Sequence, residues 1–320
     1  MRRLLVGIAA AASAILLLAL CGALLGNSPR ELLSILVSGS VGSPFAITGT
    51  LLKSVPLMFT GLAVAIAFRA GVWNIGAEGQ FIAGALAALL AARWGIVPSL
   101  LAAMLAGAGW ASLATLMRIW RGAPEVLTTI LLNFLAIHLL GWCVSGPLQE
   151  RAAQYPQTDA VTIALPQFGG VPIAIAACVL SWWMLYRTAE GLRLRATGFN
   201  PFAARWAGVN VNAQIARAMA ISGAMAGLAG GVELLSVTHR VFERFAAGYG
   251  YSGIAVALLA QLHPLATIAS ALFFGALVTG AGELQRTANI SSAVATLGQA
   301  VVILVLIAFG SLEERRRWSK

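Results

Sequence analysis

Apolar runs of about twenty residues recur along the chain and are separated by short polar breaks. The hydrocarbon core of a bilayer is about 30 Å thick, so a helix needs about 20 mostly apolar residues to cross it. Ten runs are candidate spans, at residues 4–25, 48–68, 78–92, 98–117, 126–144, 171–186, 213–235, 250–262, 265–281 and 292–309. The pattern predicts an all-α, polytopic membrane protein with about ten transmembrane helices.

The composition excludes a water-soluble fold. Hydrophobic residues make up 59% of the chain, charged residues 10%, and the mean hydropathy is +0.86, whereas a soluble domain carries about 25% charged residues. The first run follows Arg2 and Arg3 and resembles a secretory signal. It is too long for the apolar core of a typical signal, and long enough to span. We therefore predict an uncleaved first helix.

The net charge of +10 comes from arginines in short loops beside the apolar runs. Such arginines orient helices, because basic residues accumulate on the cytoplasmic side of a membrane, so no nucleic-acid partner is predicted. With the N-terminus inside, thirteen of the 21 basic residues are cytoplasmic and seven are outside. The bias predicts that both termini are cytoplasmic, that residues 145–170 form an outer loop and that residues 187–212 form the only long inner loop.

The two halves of the chain resemble each other weakly. Residues 74–90 compare with residues 246–262, and residues 125–141 with residues 292–310. In each pair the earlier segment would run outward and the later one inward, as in an inverted repeat whose solute site lies between the repeats. Chance similarity between helices rich in Ala, Leu and Gly is the alternative interpretation.

A polar island, residues 70–80 with the sequence AGVWNIGAEGQ, interrupts the apolar pattern. Non-helical backbone at membrane depth is tolerated only where it is buried in protein or lines a cavity. Asn74 and Gln80 offer donors and acceptors to a polar solute. Trp73 offers a flat face, and Gly76 relaxes the backbone. We predict that these residues line a solute pathway.

Glu78 is the most informative residue of the island, since an ionisable residue near the bilayer core marks a functional site by default. It either contacts the solute or has a structural role. In the structural role it pairs with Arg69 or caps the next helix N-terminus, where a carboxylate is favourable. Asn133 is a further pathway candidate, because the hydroxyls of its neighbours Thr128 and Thr129 most often bond their own helix.

A ridge of small residues is predicted in the seventh span. Gly223, Gly227 and Gly231 are spaced four residues apart. Small residues at this spacing let membrane helices approach closely. We predict that the ridge packs inside the bundle rather than at a contact between subunits.

Three segments carry a family resemblance: FRAGVWNIGAEGQFIAGALAA from Phe68, RGAPEVLTTILLNFLA from Arg121 and RATGFNPFAARWAGVNV from Arg195. In this order they resemble the permease subunits of bacterial ABC importers for simple sugars and nucleosides, particularly the nucleoside-type branch. The likeness covers about residues 51–309. It implies the ten-helix type II importer fold and a homo- or heterodimer of permeases in the bacterial inner membrane. It also implies a cytoplasmic ATPase subunit and an extracytoplasmic substrate-binding protein.

The sequence indicates that this chain does not hydrolyse ATP. A P-loop requires GxxxxGK[ST], whose lysine reaches the phosphates, and neither of the two lysines, Lys53 and Lys320, lies in that motif. In TGTLLKS, Leu52 stands where the second glycine belongs. The three histidines and three cysteines are scattered, so neither a catalytic triad nor a metal site is predicted. We expect a non-catalytic subunit without a cofactor, whose partner ATPase uses the ATP.

The inner loop contains the signature of a short helix. Asn200 suits the N-cap, Pro201 the first helical position and Gly208 the C-terminal stop. Ala203 and Ala204 would leave a smooth flank that fits a groove. The family resemblance predicts that this segment is the coupling helix that docks on the ATPase. The alternative is an amphipathic loop that rests its arginines on anionic lipid.

These features together predict a permease that moves a nucleoside or a simple sugar by alternating access. A permease for branched-chain amino acids or urea, which shares the general fold, is the nearest alternative. An ion-coupled secondary transporter is a second alternative. That class requires buried carboxylates in mid-helix, a description that only Glu233 approaches.

Overall fold

The computed structural model describes residues 28–288 and the single residues 12, 13, 293, 297, 300, 301, 304 and 305. In this part of the chain the regular structure is helical, without strands. Its α-helices are α1 (Pro29–Val41), α2 (Pro44–Arg69), α3 (Ala77–Ala91), α4 (Ile96–Arg121), α5 (Glu125–Val144), α6 (Gly170–Arg187), α7 (Ala189–Phe199), α8 (Pro201–Trp206), α9 (Val211–Glu233), α10 (Tyr249–Leu259) and α11 (Pro264–Ala288). A wide π-helical turn, Leu234–Thr238, continues α9.

Six segments of the described chain are long and apolar enough to cross a bilayer. They are Pro44–Arg69, Ile96–Arg121, Glu125–Val144, Gly170–Arg187, Val211–Thr238 and Pro264–Ala288. The prediction of an all-α, multi-pass membrane protein is therefore confirmed. The predicted spans at residues 4–25 and 292–309 lie outside the described residues, apart from the single positions given above.

Two predicted spans are shorter than a bilayer is thick. Helices α3 and α10 contain 15 and 11 residues, which gives lengths of roughly 22 and 16 Å at 1.5 Å per residue. They are half-helices. Helix α1 was not predicted, because its apolar residues follow the period of a helix instead of forming one continuous run. Its buried face includes Leu32 and Leu36.

Helices α2 and α9 form an antiparallel pair at the centre of the fold. The Ser222 hydroxyl of α9 donates to the Ala63 carbonyl of α2 at 2.6 Å. Further along both helices, Val55 and Val232 lie against the same residue, Gly170. Residue numbers therefore rise along α2 as they fall along α9, so the two helices run in opposite directions.

The half-helices also run in opposite directions. Helix α3 lies parallel to α9, since Gly84 lies against Gly227 and Ala88 against Gly231. Helix α10 lies parallel to α2, because it starts near the middle of α2 and ends beside the last residue of α2, Arg69. The first predicted repeat pair thus has the predicted opposite orientation. Most of the later segment of the second pair, residues 292–310, lies outside the described residues.

The glycines of α9 bring three helices together. A Cβ added to Gly223 would lie 2.4 Å from the Gly107 carbonyl oxygen of α4. One added to Gly227 would lie 2.2 Å from the Ala103 carbonyl oxygen, and one added to Gly84 of α3 would lie 2.2 Å from the Gly227 carbonyl oxygen. No side chain fits at these crossings. The predicted ridge is therefore confirmed, and it lies inside the bundle.

The predicted outer loop, residues 145–170, folds onto the segment that joins α9 to α10. The Thr158 amide donates to the Val241 carbonyl at 2.9 Å. Arg240 and the buried Glu150 form an ion pair at 2.9 Å. These contacts hold the two connections together at one end of the bundle.

Candidate translocation pathway and coupling segment

The polar island begins where α2 ends and the chain turns back into the bundle. Gly71 has a φ of +73°, a conformation that favours glycine. The next four residues are not helical. Val72 and Asn74 are buried in this segment, whereas Trp73 between them is exposed. The island therefore has one face that packs against the protein and one open face.

Arg69, at the end of α2, holds the chain that follows α10. Its Nε donates to the Leu262 carbonyl at 3.1 Å and its Nη2 to the Gln261 carbonyl at 2.9 Å. These carbonyls, and not Glu78, accept the hydrogen bonds of the guanidinium. Of the structural roles considered for Glu78, the ion pair with Arg69 is therefore not formed.

Asn74 is completely buried (0% exposed) and forms the centre of a hydrogen-bond network. Its side-chain amide exchanges two hydrogen bonds with that of Gln80, both at 3.0 Å. Its oxygen also accepts from the Gly76 amide at 2.9 Å. Its nitrogen donates to the Ser222 hydroxyl at 2.8 Å, and that hydroxyl donates to the Ala63 carbonyl. This hydrogen-bond network connects the island with α2, α3 and α9.

Asn133 of α5 connects the island with α10. Its side-chain oxygen accepts from the Gly79 amide at 2.9 Å. Its nitrogen donates to the Ile75 carbonyl at 2.9 Å and to the Tyr251 hydroxyl at 3.2 Å. The side chain is buried. In this structure Asn133 lies beside the open face and holds the backbone that forms it.

The Glu78 carboxylate caps the start of α10. Its Oε1 accepts from the Gly248 amide at 2.9 Å and its Oε2 from the Gly250 amide at 2.7 Å. The Tyr251 amide is a further donor. A Cβ added to Gly250 would lie 2.1 Å from the Glu78 nitrogen, so the two backbones touch. Glu78 thus caps a helix about 170 residues away in sequence in addition to lying in the first turn of its own.

The two half-helices meet at their N-termini inside the bundle. Ser222, which contacts Asn74, lies about 17 Å along α9 from the first residue, Val211. The first N–H groups of a helix lack partners within that helix. At this meeting point Glu78, Asn74 and Asn133 accept hydrogen bonds from amides near the starts of both helices. Backbone that would be costly to bury in hydrocarbon is thereby satisfied.

Aromatic residues lie on the open face. Trp73 is 55% exposed and Tyr251 is 39% exposed. The ring of Phe68 packs on that of Trp73, with their centroids 4.6 Å apart. These rings lie beside polar groups that are already hydrogen-bonded to one another. The surface can therefore stack a flat or ring-shaped solute without presenting a free charge at this point.

A second buried carboxylate lies outside the island. Glu233, the last residue of α9, interacts electrostatically with Lys53 of α2. Glu233 lies at the end of its helix, as the sequence indicated. Glu78 thus accepts hydrogen bonds from amide groups, whereas the charge of Lys53 acts on Glu233.

The predicted coupling segment contains the short helix α8, Pro201–Trp206. The Asn200 side chain accepts from the Phe202 and Ala203 amides, both at 3.0 Å, and the helix starts with proline, as the sequence indicated. Gly208, two residues after the last helical residue, has a φ of +81°. The predicted cap and stop residues therefore occupy the predicted positions.

The exposed surface of α8 is aromatic. Ala204 faces inward and is 4% exposed, whereas Ala203 is exposed. The two alanines therefore do not share one open flank, contrary to the sequence-based expectation. Phe199, Phe202 and Trp206 are exposed instead, Trp206 at 92%. Their spacing of three and four residues was the available signal, and no contact surface was predicted from it.

Comparison with known proteins identifies the family. The family model described as the permease component of the branched-chain amino acid transport system matches residues 46–309. The chain belongs to this family of ABC transporter permeases. A glucose ABC transporter permease of Haloferax volcanii is 31% identical to this permease over 88% of this chain and 81% of the relative. A guanosine ABC transporter permease of Bacillus subtilis is 32% identical, over 87% of this chain and 86% of the relative. A second guanosine permease of that organism is 29% identical, over 72% and 79%.

This family membership fixes the general role of the protein. Such permeases are non-catalytic membrane subunits, which confirms the prediction from the absent P-loop. Membership also implies an ATPase and a substrate-binding protein as partners, since these are the other parts of such transporters.

The structure brings most of the predicted pathway residues of the permease together. One buried network contains Asn74, Gly76, Glu78, Gln80 and Asn133. Trp73 lies on the open face instead. The residues at the start of α10 that complete the site were not predicted: Gly248, which precedes the helix, and Gly250 and Tyr251 within it. The weak similarity of residues 246–262 to the island was the signal that pointed to them.

Proposed function

We propose that this permease moves a nucleoside or a simple sugar across the bacterial cytoplasmic membrane by alternating access. The observation that carries the proposal is the exposure of two aromatic rings beside the buried polar network, Trp73 next to Asn74 in the chain and Tyr251 bonded to Asn133. Stacking on an aromatic ring contributes about 1–3 kcal/mol per nucleobase and does not require a charged group. The names of the glucose and guanosine permeases among the relatives support the same solute classes.

The charge at the meeting point of the half-helices supports a neutral solute. A helix N-terminus attracts anions, but here the Glu78 carboxylate already binds the Gly248 and Gly250 amides. A solute with its own carboxylate, such as a branched-chain amino acid, would compete with Glu78 for these donors. An uncharged nucleoside or sugar would not.

A second permease is proposed to close the open side of the pathway. Trp73 and Tyr251 are exposed, and so are the apolar residues Leu131 and Phe134 of α5, so these side chains are available to a partner in the membrane. The two guanosine permeases of Bacillus subtilis, both similar to this chain, support a pair of different permeases. Two copies of this chain are the alternative.

The segment Asn200–Gly208 is proposed to dock on the cytoplasmic ATPase through Phe202 and Trp206, together with Phe199 at the end of α7. Three large exposed aromatic side chains on one short helical arm are typical of a protein contact. This docking places α8 and, by the alternation of spans, both chain termini in the cytoplasm. ATP is used by that partner, and this chain requires no cofactor of its own.

Thiol labelling tests this orientation. The native cysteines at positions 21, 143 and 178 are first replaced by alanine, and single cysteines are then introduced at exposed Gln154 and Phe202. We expect an impermeant reagent to label position 154 in intact cells and position 202 only after permeabilisation. The reverse pattern would place α8 outside the cell and contradict the proposed docking.

Transport is tested in vesicles that contain the permease with its ATPase and substrate-binding protein. Radiolabelled guanosine, glucose, leucine and urea are offered separately, with and without ATP on the side of the ATPase. We expect ATP-dependent uptake of guanosine or glucose. Uptake of leucine or urea alone would contradict the proposed solute class. Uptake that follows an ion gradient and ignores ATP would favour the secondary transporter.

A further inference from the structure

Helix α7, which leads into α8, touches the polar island backbone to backbone. A Cβ added to Gly198 would lie 2.1 Å from the Arg69 carbonyl oxygen and 2.9 Å from the Gly71 nitrogen. Seen from the island, a Cβ added to Gly71 would lie 3.1 Å from the Gly198 Cα. No side chain lies between the two backbones at this contact. Because close-packed interiors transmit displacement, a shift of α7 must shift the start of the island.

The other end of α7 is tied to α9. The Glu190 carboxylate accepts from the Gln214 amide at 3.0 Å and from Arg217 at 2.6 Å, and it also binds Arg193. The hydrogen bond from Gln214, and after it the contacts with the two arginines, lower the pKa of Glu190. The carboxylate is therefore ionised at cytoplasmic pH. Helix α9 in turn carries the serine that binds Asn74.

We infer that α7 transmits the movement of the coupling helix to the solute pathway, and that Gly198 and Gly71 are the positioning residues of this link. The inference rests on the proposed docking of α8 on an ATPase. Only Asn200 separates the last residue of α7, Phe199, from α8, so a pull on α8 moves α7. Gly198 then moves Gly71, and the wall of the pathway at Trp73 follows two residues later.

The link explains why both contact positions are glycine. Gly71 has a positive φ at the point where α2 ends and the island starts, so it is the natural pivot of the segment. Gly198 lies within α7, where glycine lowers helix stability relative to alanine. The close approach of the Arg69 carbonyl accounts for glycine at this helical position.

Gly198→Ala tests the link, with Gly141→Ala as the matched control because a Cβ there meets nothing within 4 Å. The added methyl group pushes α7 away from the Arg69 carbonyl and leaves the exposed aromatic residues of α8 itself, Phe202 and Trp206, unchanged. In the reconstituted complex we expect ATPase binding and ATP hydrolysis to persist in Gly198→Ala. We expect uptake per ATP hydrolysed to fall at least about fivefold, the low end of typical coupling between sites. The control should match the unsubstituted protein.

A substrate-independent measurement accompanies this test. Trp73→Cys is made in the chain without native cysteines, and its thiol-labelling rate is measured with the ATPase empty and with a non-hydrolysable ATP analogue bound. With Gly198 present we expect the two rates to differ at least about fivefold, and with Gly198→Ala we expect the difference to disappear. If Gly198→Ala keeps both the difference and the uptake ratio, the inference is wrong.

Loss of ATPase binding together with uptake in Gly198→Ala would also overturn the inference, because Gly198 would then act in folding or docking. Failure of the proposed function gives a different result. In that case the ATPase does not bind even when Gly198 is present, and the labelling rate at position 73 does not depend on the nucleotide.

Discussion

The first N–H groups of the two half-helices, α3 and α10, find hydrogen-bond acceptors of different kinds. Both helices begin inside the bundle, where their first N–H groups need partners that water cannot supply. At α3 the acceptors are side-chain amides, since Asn133 accepts from Gly79 and Asn74 from Gly76. At α10 the acceptor is a carboxylate that belongs to α3, Glu78. Helix α3 therefore contributes the carboxylate that caps α10, whereas α10 takes part in this cap through its backbone amides.

The two half-helices therefore have inverted orientations, but the groups that bind their first amides are different. At the start of α10, position 250 must stay glycine so that Glu78 can reach the amide groups there. The start of α3 must keep its polar side chains, because they serve both helices. Added volume should therefore be most harmful at α10, and lost polar groups should be most harmful at α3.

We expect the largest effect from Gly250→Ala. The new Cβ would lie 2.1 Å from the Glu78 nitrogen and 2.4 Å from its Cα, so two backbones must separate. Overpacking typically costs about 1–3 kcal/mol, occasionally more, and separation also breaks the cap of α10. The thermal midpoint and the yield of purified permease should fall sharply. Gly282→Ala, where an added Cβ meets nothing within 4 Å, is the control. A normal midpoint for Gly250→Ala would refute the close approach.

Glu78→Ala should have the next largest effect. It removes the acceptor of the Gly248 and Gly250 amides, and each buried group left unpaired costs about 1–3 kcal/mol. Glu78→Gln keeps one acceptor oxygen and should be intermediate in thermal stability. Uptake separates the roles of the charge. Normal uptake by Glu78→Gln would mean that the charge is dispensable, whereas loss of uptake in a well-assembled protein would assign it a role in the pathway.

Asn133→Leu should have a smaller effect of the same kind. Leucine has a similar volume but leaves the Gly79 amide and the Ile75 carbonyl without their partner. Hydrogen bonds between neutral groups are roughly half as strong as those to a carboxylate, so the loss should be smaller than in Glu78→Ala. The thermal midpoint measures it, and Leu135→Ala on the exposed face of α5 is the control. Equal midpoints for both variants would mean that Asn133 is not needed to hold the island.

The long spans could be predicted from the sequence because bilayer thickness fixes the length of an apolar run. The ends of α8 could be predicted because caps are contacts between near neighbours, as with Asn200. Helices α3 and α10 were predicted as full spans, since a half-helix buried in a bundle is as apolar as one that crosses lipid. Only their short lengths distinguish them.

Contacts between distant segments could not be predicted in the same way. Glu78 and its donors are about 170 residues apart, and their contact depends on how α3 and α10 pack. The sequence suggested two nearby partners for Glu78, Arg69 and the N-terminus of the helix that follows the island. It did not indicate the amide groups at the start of α10. Ala204 shows the same limit, because its inward orientation is set by packing of the loop and not by the residues next to it.

Trp73→Ala should have the smallest effect on stability and a selective effect on transport. The side chain is 55% exposed, and substitutions on open surface usually change stability by less than about 0.5 kcal/mol. If the open face carries the solute, loss of the ring removes a stacking contact worth about 1–3 kcal/mol for a nucleobase, which is about a 5- to 150-fold change in affinity. Guanosine uptake should then fall while the thermal midpoint and ATPase binding stay normal, and Trp73→Phe should retain most of the uptake because it keeps a ring. Normal uptake by Trp73→Ala would place the pathway elsewhere and leave the meeting of α3 and α10 as a purely structural joint.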